Sequence, residues 1–140
     1  MSDWNILLGI DGSPGSTVAV EWCARLARDL GAKVVAVHVY EPLAHLGDVT
    51  PDHDFVAIRD ETQRALVSEW SRPLAGLDYE TRLMEGMPHE VILREAADGF
   101  DLIILGARRL GPIREALGST SHRVVHDARI PVTIIHPNLE

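Results

Sequence analysis

Short apolar runs alternate with amphipathic stretches along the whole chain. Trp4-Asn5-Ile6-Leu7-Leu8-Gly9-Ile10 reads as a buried strand, followed by the turn cluster Asp11-Gly12-Ser13-Pro14-Gly15-Ser16, with Ser16 placed to cap a helix. From Thr17 to Leu30 the small and apolar residues Val20, Cys23, Ala24 and Ala27 recur at helical spacing. Glu21, Arg25, Arg28 and Asp29 fill the other face, and Gly31 ends the helix. Lys33 to Tyr40 is nearly continuous and β-branched, the pattern of a strand covered on both faces. A loop from Glu41 to Pro51 leads to a long amphipathic helix over Asp52 to Arg72, and Pro73 to Gly76 punctuates it. Tyr79 to Glu85 alternates weakly and reads as a strand near a sheet edge. Pro88 opens a helix that runs through Ala97, because its missing N–H costs nothing at the first helical position. Asp101 to Leu105 is a fourth strand and Gly106 to Leu117 a loop. Gly118-Ser119-Thr120-Ser121 starts a short helix ending near Asp127, and Ile130 to Ile135 is a fifth strand.

Strands that alternate with helices imply an α/β fold with a parallel sheet, and right-handed crossovers make it doubly wound, with helices on both faces. No repeat, linker or low-complexity segment interrupts the 140 residues, so one domain is expected over residues 1–140. The formal charge of −8 argues against nucleic acid or an anionic membrane as partner, since both ask for a basic face. A single cysteine, Cys23, excludes a disulfide framework and suits a reducing compartment. No basic, apolar leader opens the sequence, and no apolar run reaches the length of a membrane span. A cytoplasmic protein is the expectation.

Ligands of open parallel sheets bind beyond the carboxyl ends of the strands, where strand order reverses. The candidate loops are therefore Ile10-Asp11-Gly12-Ser13, His38-Val39-Tyr40 and Gly106-Ala107-Arg108-Arg109, which meet if strands 2, 1 and 4 lie side by side. Between Gly106 and Arg129 the arginines 108, 109, 114, 123 and 129 outnumber Glu115 and Asp127, a local excess of positive charge in an acidic chain. Gly106 permits close backbone approach, and Gly118-Ser119-Thr120 opens a helix whose unpaired N–H groups and positive dipole end attract anions. Arginine adds charge-assisted hydrogen bonds. A phosphate site and an ordinary loop with solvated arginines both fit this pattern.

Other features read as structural. His122 and His126 have a spacing that can ligate zinc but lack the adjacent Glu of a hydrolytic zinc helix. His45, Asp48, Asp52, His53 and Asp54 form a loose cluster that could bind a metal but is read instead as an exposed loop, which over a nucleotide site would act as a lid. Cys23 falls on an apolar stripe and reads as a core thiol, and His38 as a structural histidine. Trp4, Trp22 and Trp70 form no stacking array for single-stranded nucleic acid. No Gly-x-Ser-x-Gly elbow and no Gly-x-x-x-x-Gly-Lys-Ser/Thr loop occurs, which disfavours a hydrolase triad and a P-loop NTPase.

The segments Ile10-Asp11-Gly12-Ser13, His38-Val39-Tyr40-Glu41-Pro42 and Gly86-Met87-Pro88-His89-Glu90, in this order, resemble the universal stress protein family. So do Gly106-Ala107-Arg108-Arg109, Leu117-Gly118-Ser119-Thr120-Ser121 and Ile130-Pro131-Val132 after them, and together they span nearly the whole chain. The resemblance implies a five-stranded parallel sheet of order 3-2-1-4-5 and a homodimer through the C-terminal strand. It also implies a stress-response regulatory protein that holds ATP, or AMP or ADP, across strands 1 and 4, with Mg²⁺ accompanying the phosphates. By the same resemblance Asp11, with Gly12 and Ser13, would meet the adenosine part and the Val39 backbone the adenine edge. Gly106, Gly118, Ser119 and Thr120 would cradle the phosphates, joined by Arg108 and Arg109. No assembled base and nucleophile stands out, so any ATPase activity is expected to be slow. The family's nucleotide-binding pattern is Gly, two residues, Gly, nine residues, Gly, then Ser or Thr. Here Arg109 stands at the second glycine, and Gly118 follows Gly106 by 12 positions where the pattern has 13. That departure keeps open a second reading, a dimeric interaction protein of the same fold without nucleotide. An adenylyl- or pyrophosphoryl-transferring enzyme is a third, disfavoured because the Ser-Gly-Gly loop it would need after the first strand is missing.

Overall fold

The computed structural model describes residues 4–41, 53–107 and 118–137, with residues 53–55 described by their backbone alone. Five parallel strands form one sheet: β1 (Asn5–Gly9), β2 (Lys33–Tyr40), β3 (Tyr79–Glu85), β4 (Leu102–Gly106) and β5 (Val132–Ile135). Their order is β3-β2-β1-β4-β5, with β3 and β5 at the edges. The helices are α1 (Pro14–Leu30), α2 (His53–Ala65), α3 (Pro88–Ala96) and α4 (Ser119–Asp127). The α/β class, the strand order and the parallel sense match the sequence reading.

Alternation along the strands explains why their sequences are apolar throughout. Ile6, Leu8, Val34, Ala36, Leu102 and Ile104 face one side and pack with Ala19, Val20, Cys23, Ala24 and Ala27 of α1 and with Leu66 and Leu74. Leu7, Val35, Val37, Ile103 and Leu105 face the other, against Ile92 and Ala96 of α3 and Val124 of α4. Successive side chains of a strand point to opposite faces, so a sheet clad on both sides needs an apolar residue at every position. Cys23 is fully buried, and burial pushes its thiol up to about 12.

Two helices depart from the sequence-based boundaries. Helix α1 starts at Pro14, with Ser13 rather than Ser16 as its cap: the Ser13 hydroxyl accepts from the Ser16 N–H at 3.2 Å. Pro14 is responsible, since its fixed φ already suits the first helical position and draws the helix start forward. Ser16 instead turns back, its Oγ accepting from the Asp11 N–H at 3.0 Å. The expected helix over 52–72 is broken into α2, a π-helical turn over Leu66–Trp70 and a 3-10 turn over Arg72–Leu74. Pro73 can donate no backbone hydrogen bond, and the Oγ of Ser71 donates back to Val67 O at 3.1 Å, four residues earlier, at the break. Across the α-to-π junction, Arg64 pairs with Glu61 and, at 3.0 Å, with Glu69.

Candidate functional site

Strand order reverses between β1 and β4: the chain leaves β1 toward β2 and β3, then returns to lay β4 on the other side of β1. At the carboxyl ends of β1, β2 and β4 lies a cleft of about 310 Å³, the position expected of a ligand site in such a sheet. From the β1 side it is lined by Gly9, Ile10, Asp11, Ser13 and Ser16, and from β2 by Val37, His38, Val39 and Glu41. Leu105 and Gly106 of β4, Pro88 and Ile92 of α3, and Gly118 to Ser121 at the start of α4 complete it.

The β1–α1 turn is held by its own polar groups. Asp11 Oδ1 accepts from the Ser13 N–H at 2.9 Å while the Asp11 N–H donates to Ser16. Such a two-residue-ahead bond is the reason Asp is favoured in turns. Ile10 N donates to Val37 O at 3.0 Å, and Ile10 O receives His38 Nδ1 at 2.8 Å. A carbonyl only accepts, so Nδ1 is the protonated nitrogen of His38.

Three helices point their N-terminal turns at the cleft: α1 through Ser13 and Ser16, α3 through Pro88, and α4 through Ser119, Thr120 and Ser121. The N-cap of α4 is Gly118, which has no side chain, and among the described residues no side-chain cap bonds its first turn. A helix start of this kind leaves N–H groups that an anion can take, and Ser119 and Thr120, which line the cleft, add hydroxyls beside them. Ser121 is buried, and its Oγ donates to Gly106 O at 3.4 Å, tying α4 to the end of β4.

Eight residues singled out from sequence lie within the described structure, and seven of them line the cleft: Asp11, Ser13, Val39, Gly106, Gly118, Ser119 and Thr120. Gly12 is not among the lining residues. It has φ +78°, and a Cβ there would come 2.4 Å from the Trp70 ring, so its place in the chain follows from backbone conformation and indole packing. Arg108 and Arg109, with Arg114, His45, Asp48 and Asp52, lie outside the described residues. Gly106 also has a purpose other than the one read from sequence. A Cβ on it would meet Gly15 O at 2.4 Å and Gly15 C at 2.6 Å, so the backbone it admits is that of α1.

Sequence reasoning placed His38 in a candidate loop but read it as structural only, and it missed Ser16, Ser121 and the α3 N-terminus as parts of the cleft. The signal for α3 was present in Pro88, since a helix after β3 must begin at the same end of the sheet as α1 and α4. Of the other candidates, His126 sits 2.8 Å from Asp127 Oδ1 at an exposed helix end, and that bond holds Asp127 below the usual carboxylate range. Among the described residues no group of three or more His, Cys, Asp or Glu is placed to hold a metal. None of the described helices is long and apolar enough to cross a membrane.

The sequence profile of the universal stress protein family matches residues 5–136. The chain belongs to the universal stress protein family. A universal stress protein of Thermus aquaticus is 35% identical over 135 residues, covering 93% of this chain and 96% of the relative. One of Mycolicibacterium smegmatis is 34% identical over 137 residues, covering 94% of this chain, which spans 45% of that longer relative. A solved universal stress protein of Archaeoglobus fulgidus, in complex with dAMP, shares the fold. Its TM-score is 0.67 at 24% identity, with 96% of this chain and 99% of that chain covered.

Proposed function

We propose that this universal stress protein binds an adenine nucleotide, ATP or a related AMP or ADP, in the cleft between β1 and β4 and acts as a regulatory protein through its conformation or partners. The observation that carries the reading is the glycine-capped start of α4 and Asp11 lining one cleft at the reversal of strand order. Main-chain N–H groups and hydroxyls suit phosphate oxygens, and a carboxylate suits a ribose hydroxyl or an amino group. The A. fulgidus relative with dAMP supports the same ligand class.

In this reading Asp11 and Ser13 hold the adenosine part, the Val39 backbone meets the base, and Gly118, Ser119 and Thr120 bind the phosphates beside Gly106. Arg108 and Arg109 supply positive charge near them. Mg²⁺, when bound, neutralises phosphate charge. Hydrolysis is slow at most, and the protein works in the cytoplasm.

The test is to denature the purified protein, assay the supernatant for released nucleotide, and titrate AMP, ADP and ATP by calorimetry. Released adenylate, or heat that saturates, supports the reading. No nucleotide and no heat at millimolar ligand defeats it. A second reading, a dimeric interaction protein without nucleotide, draws on Gly106, whose open side is occupied by α1.

A further inference from the structure

Trp70 ends the π-helical turn and touches the cleft from outside at two points. One is Gly12, between the lining residues Asp11 and Ser13: the site of a Gly12 Cβ falls 2.4 Å from Cε2, 2.6 Å from Cζ2 and 2.6 Å from Nε1 of the indole. The other is His38, whose ring meets Trp70 edge-on, with centroids 5.2 Å apart and planes at 72°. His38 in turn holds Ile10 O. The indole thus buttresses the turn Ile10–Ser13 on both sides of Asp11, once through backbone and once through the histidine.

We propose that Trp70 is a positioning residue of the cleft: wedged on Gly12 and His38, it sets the β1–α1 turn that presents Asp11, and couples occupancy of the cleft to the π-helical turn. The proposal rests on the adenine-nucleotide reading for its ligand. The placement of the wedge gives the reason. Trp70 touches the turn through a glycine with no side chain to absorb movement, so a shift of the indole passes directly to the backbone of residues 11 to 13. A π turn is also a common irregularity at functional sites, because one extra residue in the helical turn re-aims the side chain that ends it. Regular α-helix through Leu66–Trp70 would rotate the indole away from Gly12.

The experiment compares wild-type protein with Trp70→Phe and Trp70→Ala, with and without AMP and ATP. Amide hydrogen exchange is read first, without nucleotide. The Asp11 and Ser13 amides, bonded to Ser16 Oγ and Asp11 Oδ1, report the turn, and the Leu8 amide reports global stability. Trp70→Ala is expected to speed exchange at 11 and 13 by about tenfold more than at Leu8, and Trp70→Phe to restore most of the protection. Uniform acceleration at all three amides, or none, overturns the proposal.

Calorimetric titration is read second, with affinity expected to fall about tenfold in Trp70→Ala and less in Trp70→Phe. A chain keeping Trp70 alone, with the half-exposed Trp4 and Trp22 changed to Phe, should show an emission shift on nucleotide binding. Unchanged affinity in Trp70→Ala, or no shift in a chain that binds, also overturns the proposal. A wild-type titration without heat defeats the nucleotide reading, while the exchange comparison still decides whether Trp70 sets the turn.

Discussion

Gly106→Ala separates the two reasons a glycine can stand at the end of β4. A Cβ at this position falls 2.4 Å from Gly15 O, 2.6 Å from Gly15 C and 2.9 Å from Ser16 N, all main-chain atoms of α1. Ordinary contact begins near 3.4 Å, so the start of α1 must move by about 1 Å from β4. No flexible side chain can give way. Gly15 and Ser16 are buried, and α1 packs on the sheet through small residues that leave little slack. Overpacking of this kind costs about 1–3 kcal/mol. For a domain of this size that lowers the thermal midpoint by roughly 3–10 °C. Denaturant unfolding followed by circular dichroism gives the free energy, and a thermal scan gives the midpoint. Gly9→Ala is the internal control: its Cβ also falls at 2.4 Å, but from Cδ2 of Leu105, a side-chain tip that can rotate. The expected order is therefore Gly106→Ala well below Gly9→Ala, with wild type highest. A Gly106→Ala protein as stable as wild type would refute the argument, and selective loss of nucleotide affinity in it would return Gly106 to a role in phosphate contact alone.

Three further outcomes are expected. Asp11→Ala removes both the candidate ribose partner and the acceptor of the Ser13 N–H, so nucleotide affinity should fall at least about tenfold in calorimetry, the loss of one charged hydrogen bond. Cys23 has its thiol raised from 9.0 to about 12, so the folded state keeps a proton that the unfolded state releases above pH 9. Its contribution is fully present below pH 9 and should be lost at up to about 1.4 kcal/mol per pH unit between pH 9 and 12, measured as the stability difference between wild type and Cys23→Ala across that range. Finally, β5 lies at the sheet edge with its outer backbone unpaired within the sheet, and light scattering at micromolar concentration should give the mass of a dimer; a monomer mass refutes pairing through that strand.

The fold was legible because its signals are redundant. Continuous apolar strands, amphipathic helices between them and turn residues at the joints all point to one parallel sheet, and β3 announces itself as an edge by its weaker alternation. The site was legible where function sits on loops at strand ends: Asp11, Val39 and Gly118 need only the topology to bring them together. What escaped depends on distances between distant segments. Nothing local tells that Gly106 makes room for Gly15, or that Trp70 reaches Gly12 across nearly sixty positions. Nor does the helical pattern over 52–72 reveal the π turn, because the insertion of one residue into a turn alters the phase of the pattern and not its composition. The misplaced cap had a local sign, Pro14, which outweighs the general suitability of Ser16.

The pairing of β1 with β4 has a kinetic consequence. Ile6 lies beside Leu102, and Asn5 N–H donates to Asp101 across 96 positions, whereas β1, β2 and β3 join through nearer crossovers. Closing so wide a loop is entropically expensive, and chains dominated by distant pairings fold slowly. The first three strands can assemble while β4 and β5 are still being recruited, which leaves a seam along β1. Since the cleft straddles that seam, a molecule bound there would clamp the late-arriving half to the early one, and its presence would slow unfolding most where the two halves part.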